Sequence, residues 1–289
     1  MLKDISTLYD RGKKMINTLK RISAVARIVL IDGLRRHALL GLVALSVSAE
    51  AGAFLFFDFI PRDIGRASSD FILSLAWLSG FIFLYFHGVQ VIALDEERKV
   101  IYSLLARPIS RGEYVGGIFT GLACLLLLLN LLLCLLGFGT LMFIKQQVLP
   151  VYFSQFAMSY YLLAWLGLFA MELMLLAVIL FFSGLVRGSF PVLLISLSFY
   201  AICSGLPVVR DAISQKASLE GQSTSLKSIL QGMTAFFPDF DRLDFKNMIT
   251  SVTSPPDPSL ILVNFGLTSA YIAVLLWLAC IAYHRRDLQ

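Results

Sequence analysis

Three titratable side chains, Glu50, His87 and Glu172, stand inside long apolar runs of this 289-residue chain. A charged group at the centre of a bilayer costs roughly 2.5–3.5 kcal/mol on insertion scales, so such residues face a bundle interior or a watery path. One chemistry that fits them is a transport path lined by polar side chains. Another is acid–base catalysis inside the membrane, with the three acting on a lipid. The plainer use is a hydrogen bond between helices, which suits His87 and Asn130 best. The catalytic option lacks its usual companions, since no HExxH, GxSxG or paired-aspartate motif occurs. Glu50 and Glu172 also fall near the middle of their runs and His87 toward the inner end, so the three differ in depth. Cys124, Cys134, Cys203 and Cys280 lie in apolar runs as well, with no CxxC pair and no histidine at metal-ligand spacing. They read as small buried hydrophobes.

The elements that must position these residues follow from composition. The chain is 58% hydrophobic and 15% charged, with a mean hydropathy of +0.80. A soluble domain carries about 45–50% apolar and about 25% charged residues. This balance excludes a water-soluble globular enzyme, a secreted disulfide scaffold and a disordered chain. It predicts an all-α, polytopic membrane protein. A bilayer core about 30 Å thick needs about 20 apolar residues in a helix. Six stretches qualify, at 38–60, 71–94, 114–143, 157–186, 190–209 and 259–283. The third is long enough to tilt or to project beyond the bilayer, and Pro191 and Pro207 bracket the fifth. The first begins nearly forty residues in and exceeds a signal core in length, so no cleavable signal peptide is expected.

The net charge of +5 is explained by orientation rather than by nucleic acid. With the N-terminus inside, the inner segments hold nine Lys and Arg (1–37), four (95–113), one (Arg187) and two (Arg285, Arg286). The short outer loops hold only Arg62, Arg66 and Lys145. Both termini are therefore expected to be cytoplasmic.

Four regions result. Residues 1–37 place Ile5, Leu8, Met15, Leu19, Ile22, Val25 and Val29 at helical period opposite Arg11, Lys13, Lys14, Lys20 and Arg21. That is an amphipathic helix suited to the cytoplasmic membrane surface, or to a partner protein. Residues 38–209 hold five spans and the inner loop 95–113. In that loop a charge cluster leads into a short helix with Val100, Ile101, Leu104 and Leu105 on one face, ended by Pro108. Residues 210–258 form an extracytoplasmic helical cap, with Leu219, Leu226, Leu230 and Met233 at helical spacing before the aromatic, acidic stretch 236–245. Residues 259–289 make the sixth span and a cytoplasmic tail. Gly112, Gly116, Gly117 and Gly121 open the third span at a spacing that lets another helix approach closely, a second copy of the chain being one such neighbour.

The inner loop resembles that of type-2 ABC exporter permeases, particularly the six-span group associated with multi-copper enzyme maturation. In that group an acidic-basic stretch leads into a hydrophobic helix, a Leu-Leu pair, a Pro-hydrophobic-Ser-Arg turn and the third span. Here these positions are Glu96–Lys99, Leu104-Leu105, Pro108-Ile109-Ser110-Arg111 and Tyr114. The stretch from Ala26-Arg27 to Arg35-Arg36 is similar to the helix preceding the family's first span, and Phe237-Pro238-Asp239-Phe240 to a turn before its last. The layout match covers nearly the whole chain, and the residue pattern about thirty positions of it. Lys99-Val100 stands where Gly-Thr is usual, and Gly116-Gly117 where Gly-Lys is usual.

The resemblance implies a permease in the cell inner (cytoplasmic) membrane, paired with a second permease chain, likewise expected to be identical, and seated on two ABC ATPase subunits. Glu96, Glu97, Arg98, Ile101, Leu104, Leu105, Arg107, Pro108, Ser110 and Arg111 would then form the coupling helix and its turn. Glu50, His87 and Glu172 are the candidates for the transport path. No GxxxxGK[ST] phosphate loop is present, so ATP and Mg would bind on the partner ATPase and no cofactor is expected in this chain.

Overall fold

The computed structural model describes residues 2–35, 38–57, 64–92, 110–149, 153, 157–216, 237–246, 249 and 257–285, with the side chains of 2–16, 38, 53–57 and 209–216 left aside. The loop 93–109, with the coupling residues Glu96 to Pro108, lies outside them, as does the amphipathic stretch 219–233.

Among the described residues the ordered elements are all helical: α1 (Leu2–Arg35), α2 (Ala38–Phe57), α3 (Ile64–Ile82), α4 (Arg111–Gln147), α5 (Met158–Leu185), α6 (Ser189–Lys216) and α7 (Pro258–Arg285). α3 continues through a π-helical turn, Phe83–Gly88, to Ile92. Five of these helices, α3 to α7, are long and apolar enough to cross a membrane. In α2 the described apolar part is shorter, Leu39–Gly52. Pro191 falls in the first turn of α6, where its missing N–H costs nothing. Pro207 lies within α6 and does not end it.

α4 is the axis of the bundle. Its 37 residues extend about 55 Å, well beyond the hydrocarbon thickness. Its start is fixed by a capping box: the Ser110 hydroxyl accepts from the Glu113 N–H, and the Glu113 carboxylate from the Ser110 N–H. The helices α1, α2, α3, α5 and α7 all pack on it, and Leu122, Leu125, Leu126 and Leu129 are fully enclosed.

The glycine run at the start of α4 receives α1 of the same chain. A Cβ on Gly117 would strike Val25, and one on Gly121 would strike Val29 and the Ala26 carbonyl oxygen. One level further on, a Cβ on Gly33 would strike Leu125. The paired numbers rise together, so α1 and α4 run parallel in close contact. The expected apolar stripe is in this half an intramolecular one: Val25 and Val29 are buried, while Leu19 is exposed.

One end of the bundle gathers the basic positions. Arg21 faces Glu113 at 3.6 Å, and Arg111 reaches the end of α7. The Ser183 and Tyr283 hydroxyls share a hydrogen bond of 2.8 Å beside Arg187. The turn there needs Gly188, whose φ of 95° is strained for any side chain.

At the opposite end residues 237–246 and 249 enter the bundle instead of resting on it. Phe240, Leu243, Phe245 and Ile249 are buried, and the Leu243 carbonyl sits where a Cβ on Gly167 would be. Gly167 is nine residues into α5, about 13 Å along its axis. Non-helical backbone at that depth is tolerated because protein surrounds it. Tyr200 on α6 is the aromatic joint, touching Trp77, Phe81 and Phe240 at ring separations of 6.0, 5.3 and 5.2 Å. Of the expected cap 210–258, residues 210–216 continue α6, and the described residues 237–246 hold a 3₁₀ turn, Asp241–Leu243.

Candidate functional site

Glu172, on α5, is wholly enclosed. Its Oε2 accepts a hydrogen bond from Asn130 Nδ2 on α4 at 2.5 Å, and the same amide donates to the Leu126 carbonyl at 3.0 Å. On the other side the carboxyl group lies against Gly80 of α3, inside the space a Cβ would take. Three helices therefore meet at one polar point, and it exists because position 80 has no side chain. The Glu172 Oε1 and Asn130 Oδ1 atoms have no hydrogen-bond donor among the described residues. Two acceptor oxygens without a donor make this a polar point in an otherwise apolar interior.

The other two titratable candidates lie elsewhere. Glu50, 6% exposed on α2, accepts from the Thr140 hydroxyl at 2.6 Å. His87, 5% exposed, sits in the π-helical turn with its Nε2 3.1 Å from the Cβ position of Gly33, level with Leu125. Measured along α4, Thr140 is ten residues and about 15 Å from Asn130, and Leu125 about 8 Å from it on the opposite side. No single substrate atom reaches all three, so the structure does not assemble Glu50, His87 and Glu172 into one acid–base centre. Each is a separate contact between helices. A second polar bridge, between the Ser46 and Ser79 hydroxyls at 2.9 Å, joins α2 to α3 one residue from Gly80.

Of the coupling residues, the described pair is Ser110 and Arg111. Ser110 caps α4 as above. Arg111 Nη1 donates to the Tyr283 carbonyl at 2.9 Å and to the His284 carbonyl at 2.7 Å. These are C-terminal carbonyls of α7, left over by its own ladder and favoured by a cation. Within four residues, 110–113, the end of the 95–113 loop is thereby joined to α4, to α1 through Glu113 and Arg21, and to α7 through Arg111. Replacing Arg111 by alanine is expected to cost about 1 kcal/mol and to raise amide exchange in the last two turns of α7. Unchanged exchange there would show that the contact holds nothing.

Sequence reasoning grouped Arg111 with the coupling turn and left Gly80 and Glu113 out. The signal for Glu113 was present as Ser110-x-x-Glu113, the capping-box spacing at a helix start. Nothing local marks Gly80, because its neighbour arrives from another helix. The cysteine reading also needs adjustment. Cys203 is buried, Cys134 and Cys280 are partly so, and Cys124 faces outward. The sequence matches no protein-family model, and no curated protein is significantly similar to it.

Proposed function

We propose that this chain is the transmembrane permease subunit of an ATP-driven ABC exporter, coupling ATP hydrolysis by separate ATPase subunits to export of a substrate. In this reading α2 is the first of six spans, both termini are cytoplasmic, and the protein resides in the cell inner membrane. Two such chains sit on two ATPase subunits, each touched by the 95–113 loop. ATP and Mg belong to those subunits. The cargo moves between the two permease halves, and 210–258 closes the outer end.

The junction at Ser110–Glu113 carries the proposal. A force applied to a loop that ended in a free helix would be absorbed by that helix. Here the loop ends on four residues that grip α1, α4 and α7 together, so a push on it reaches both terminal helices. The depth separation of Glu50, His87 and Glu172 favours this reading over an intramembrane enzyme. The loop residues themselves enter by their sequence pattern.

The test is co-purification in mild detergent from the native host, followed by native mass measurement. A stoichiometric ATPase is expected, lost when Leu104 and Leu105 are both changed to aspartate with expression unchanged. A chain that emerges alone at every detergent strength would overturn the proposal.

A further inference from the structure

Glu172 is a fully enclosed carboxyl group without a counter-charge. Its polar neighbour among the described residues is Asn130, and Gly80 closes its other side. Packed on α5 are α3 with its π-helical turn, α4, α6, α7 and the 3₁₀ turn at 241–243. Among the described residues none of these sets a charged or titratable side chain against the carboxyl. On α3 the titratable side chains that follow Gly80 are Tyr85 and His87, five and seven residues further on.

The donors at this point can be counted. The Leu126 carbonyl can only accept, so it fixes which end of the Asn130 amide is nitrogen. Nδ2 donates to that carbonyl at 3.0 Å and to Glu172 Oε2 at 2.5 Å, which uses both amide hydrogens. Glu172 Oε1 and Asn130 Oδ1 are left as acceptors with no donor among the described residues. An ionised carboxylate here would be a buried charge with no cation beside it, a state that low-dielectric surroundings penalise heavily. A proton on the carboxyl removes that charge and turns an orphaned acceptor into a donor. A hard metal cation asks for about six oxygen ligands, and the described residues leave two open. A water molecule could donate to both oxygens but would leave the charge in place.

We infer that Glu172 and Asn130 form a proton-binding site at the junction of α3, α4 and α5, in which Glu172 is held as the neutral carboxylic acid. The ligand is a single proton. The carboxyl reaches water only when the three helices part, and ionising it with α3 in place leaves an unmatched charge. Loss of the proton and opening of the contact at Gly80 are therefore linked.

The test is a proton count on the purified full chain. Unfolding in guanidinium at neutral pH, in weakly buffered solution with an indicator dye, brings Glu172 into water, where a glutamate titrates near about 4.3. The parent is expected to release about one proton per chain more than Glu172→Gln, the other groups cancelling. Glutamine is neutral and of the same shape, so this variant should unfold at close to the parent temperature. A markedly more stable glutamine variant would mean that the parent buries a charge, and would overturn the proposal. Equal proton release would do the same. Infrared spectroscopy reads the folded parent without any variant: the carbonyl band of a protonated carboxylic acid is expected, and its absence would overturn the site. So would a band that keeps its full area in Glu172→Gln. A stability gain from sodium over choline at equal ionic strength, lost in Glu172→Gln, would make this a metal-cation site and overturn the proton assignment.

Discussion

Replacing Gly80 with alanine is expected to destabilise the protein by about 2–3 kcal/mol, a large effect for one methyl group. The added Cβ occupies the space of the Glu172 carboxyl group. That group has no other direction to move, because Glu172 is fully enclosed and α4 closes its opposite side through Asn130. Turning it away breaks the Asn130 hydrogen bond and leaves buried polar atoms unmatched, which costs about 1–3 kcal/mol by itself. The double variant Gly80→Ala with Glu172→Ala removes the obstructing carboxyl and should be more stable than the sum of the single changes predicts, with a coupling of about 1 kcal/mol or more. Thermal unfolding of the four proteins in one detergent decides it. Additive effects, or a Gly80→Ala protein as stable as the parent, would mean that the carboxyl does not rest on Gly80.

The second large effect is expected at Gly121. Leucine there meets Val29 Cβ at 2.8 Å and the Ala26 carbonyl oxygen at 2.9 Å. The latter is backbone and cannot rotate aside. Overpacking of this kind costs about 1–3 kcal/mol, and α1 can relieve it by leaving its groove. Detached, α1 is no longer held along its length, and the backbone at the already exposed Lys20, Arg21 and Arg27 becomes cleavable by trypsin. New cleavage at these residues is the expected result for Gly121→Leu. Gly139→Leu, in open space on the same helix, is the control and should digest like the parent. Equal digestion of all three proteins would show that the glycine groove does not hold α1.

Helix positions were largely legible in the sequence because length and apolarity impose them. The expected third span at 114–143 and the observed Arg111–Gln147 share a centre, and the fourth and sixth agree within a few residues. Hydrocarbon admits almost no other backbone than helix, so a run of apolar residues suffices. The helix of the expected fifth span, α6, runs past Pro207 to Lys216, since one proline removes one hydrogen bond without removing the packing on either side. The relative depths of Glu50 and Glu172 were not legible: both fall near the middle of their own runs, yet Glu50 meets Thr140 and Glu172 meets Asn130, about 15 Å apart along α4, because a count within one run does not fix how far that helix is shifted against its neighbours.

What the sequence by itself determined is the all-helical, apolar character of the protein, the places of its helices and the position of each polar residue within its own helix. These depend on local composition and on a rise of about 1.5 Å per residue. Tertiary structure alone decided which helix faces which. It seated α1 in the glycine groove that a second chain was equally suited to fill. It turned the stretch after Phe236 inward against Gly167, placed Arg111 on the last carbonyls of α7, and set Glu172 between Asn130 and Gly80. Each is a contact between residues forty or more positions apart or on different helices, held by shape and by a single donor or missing side chain. No periodicity within one segment carries that information, because a helix records its own faces and not its neighbours.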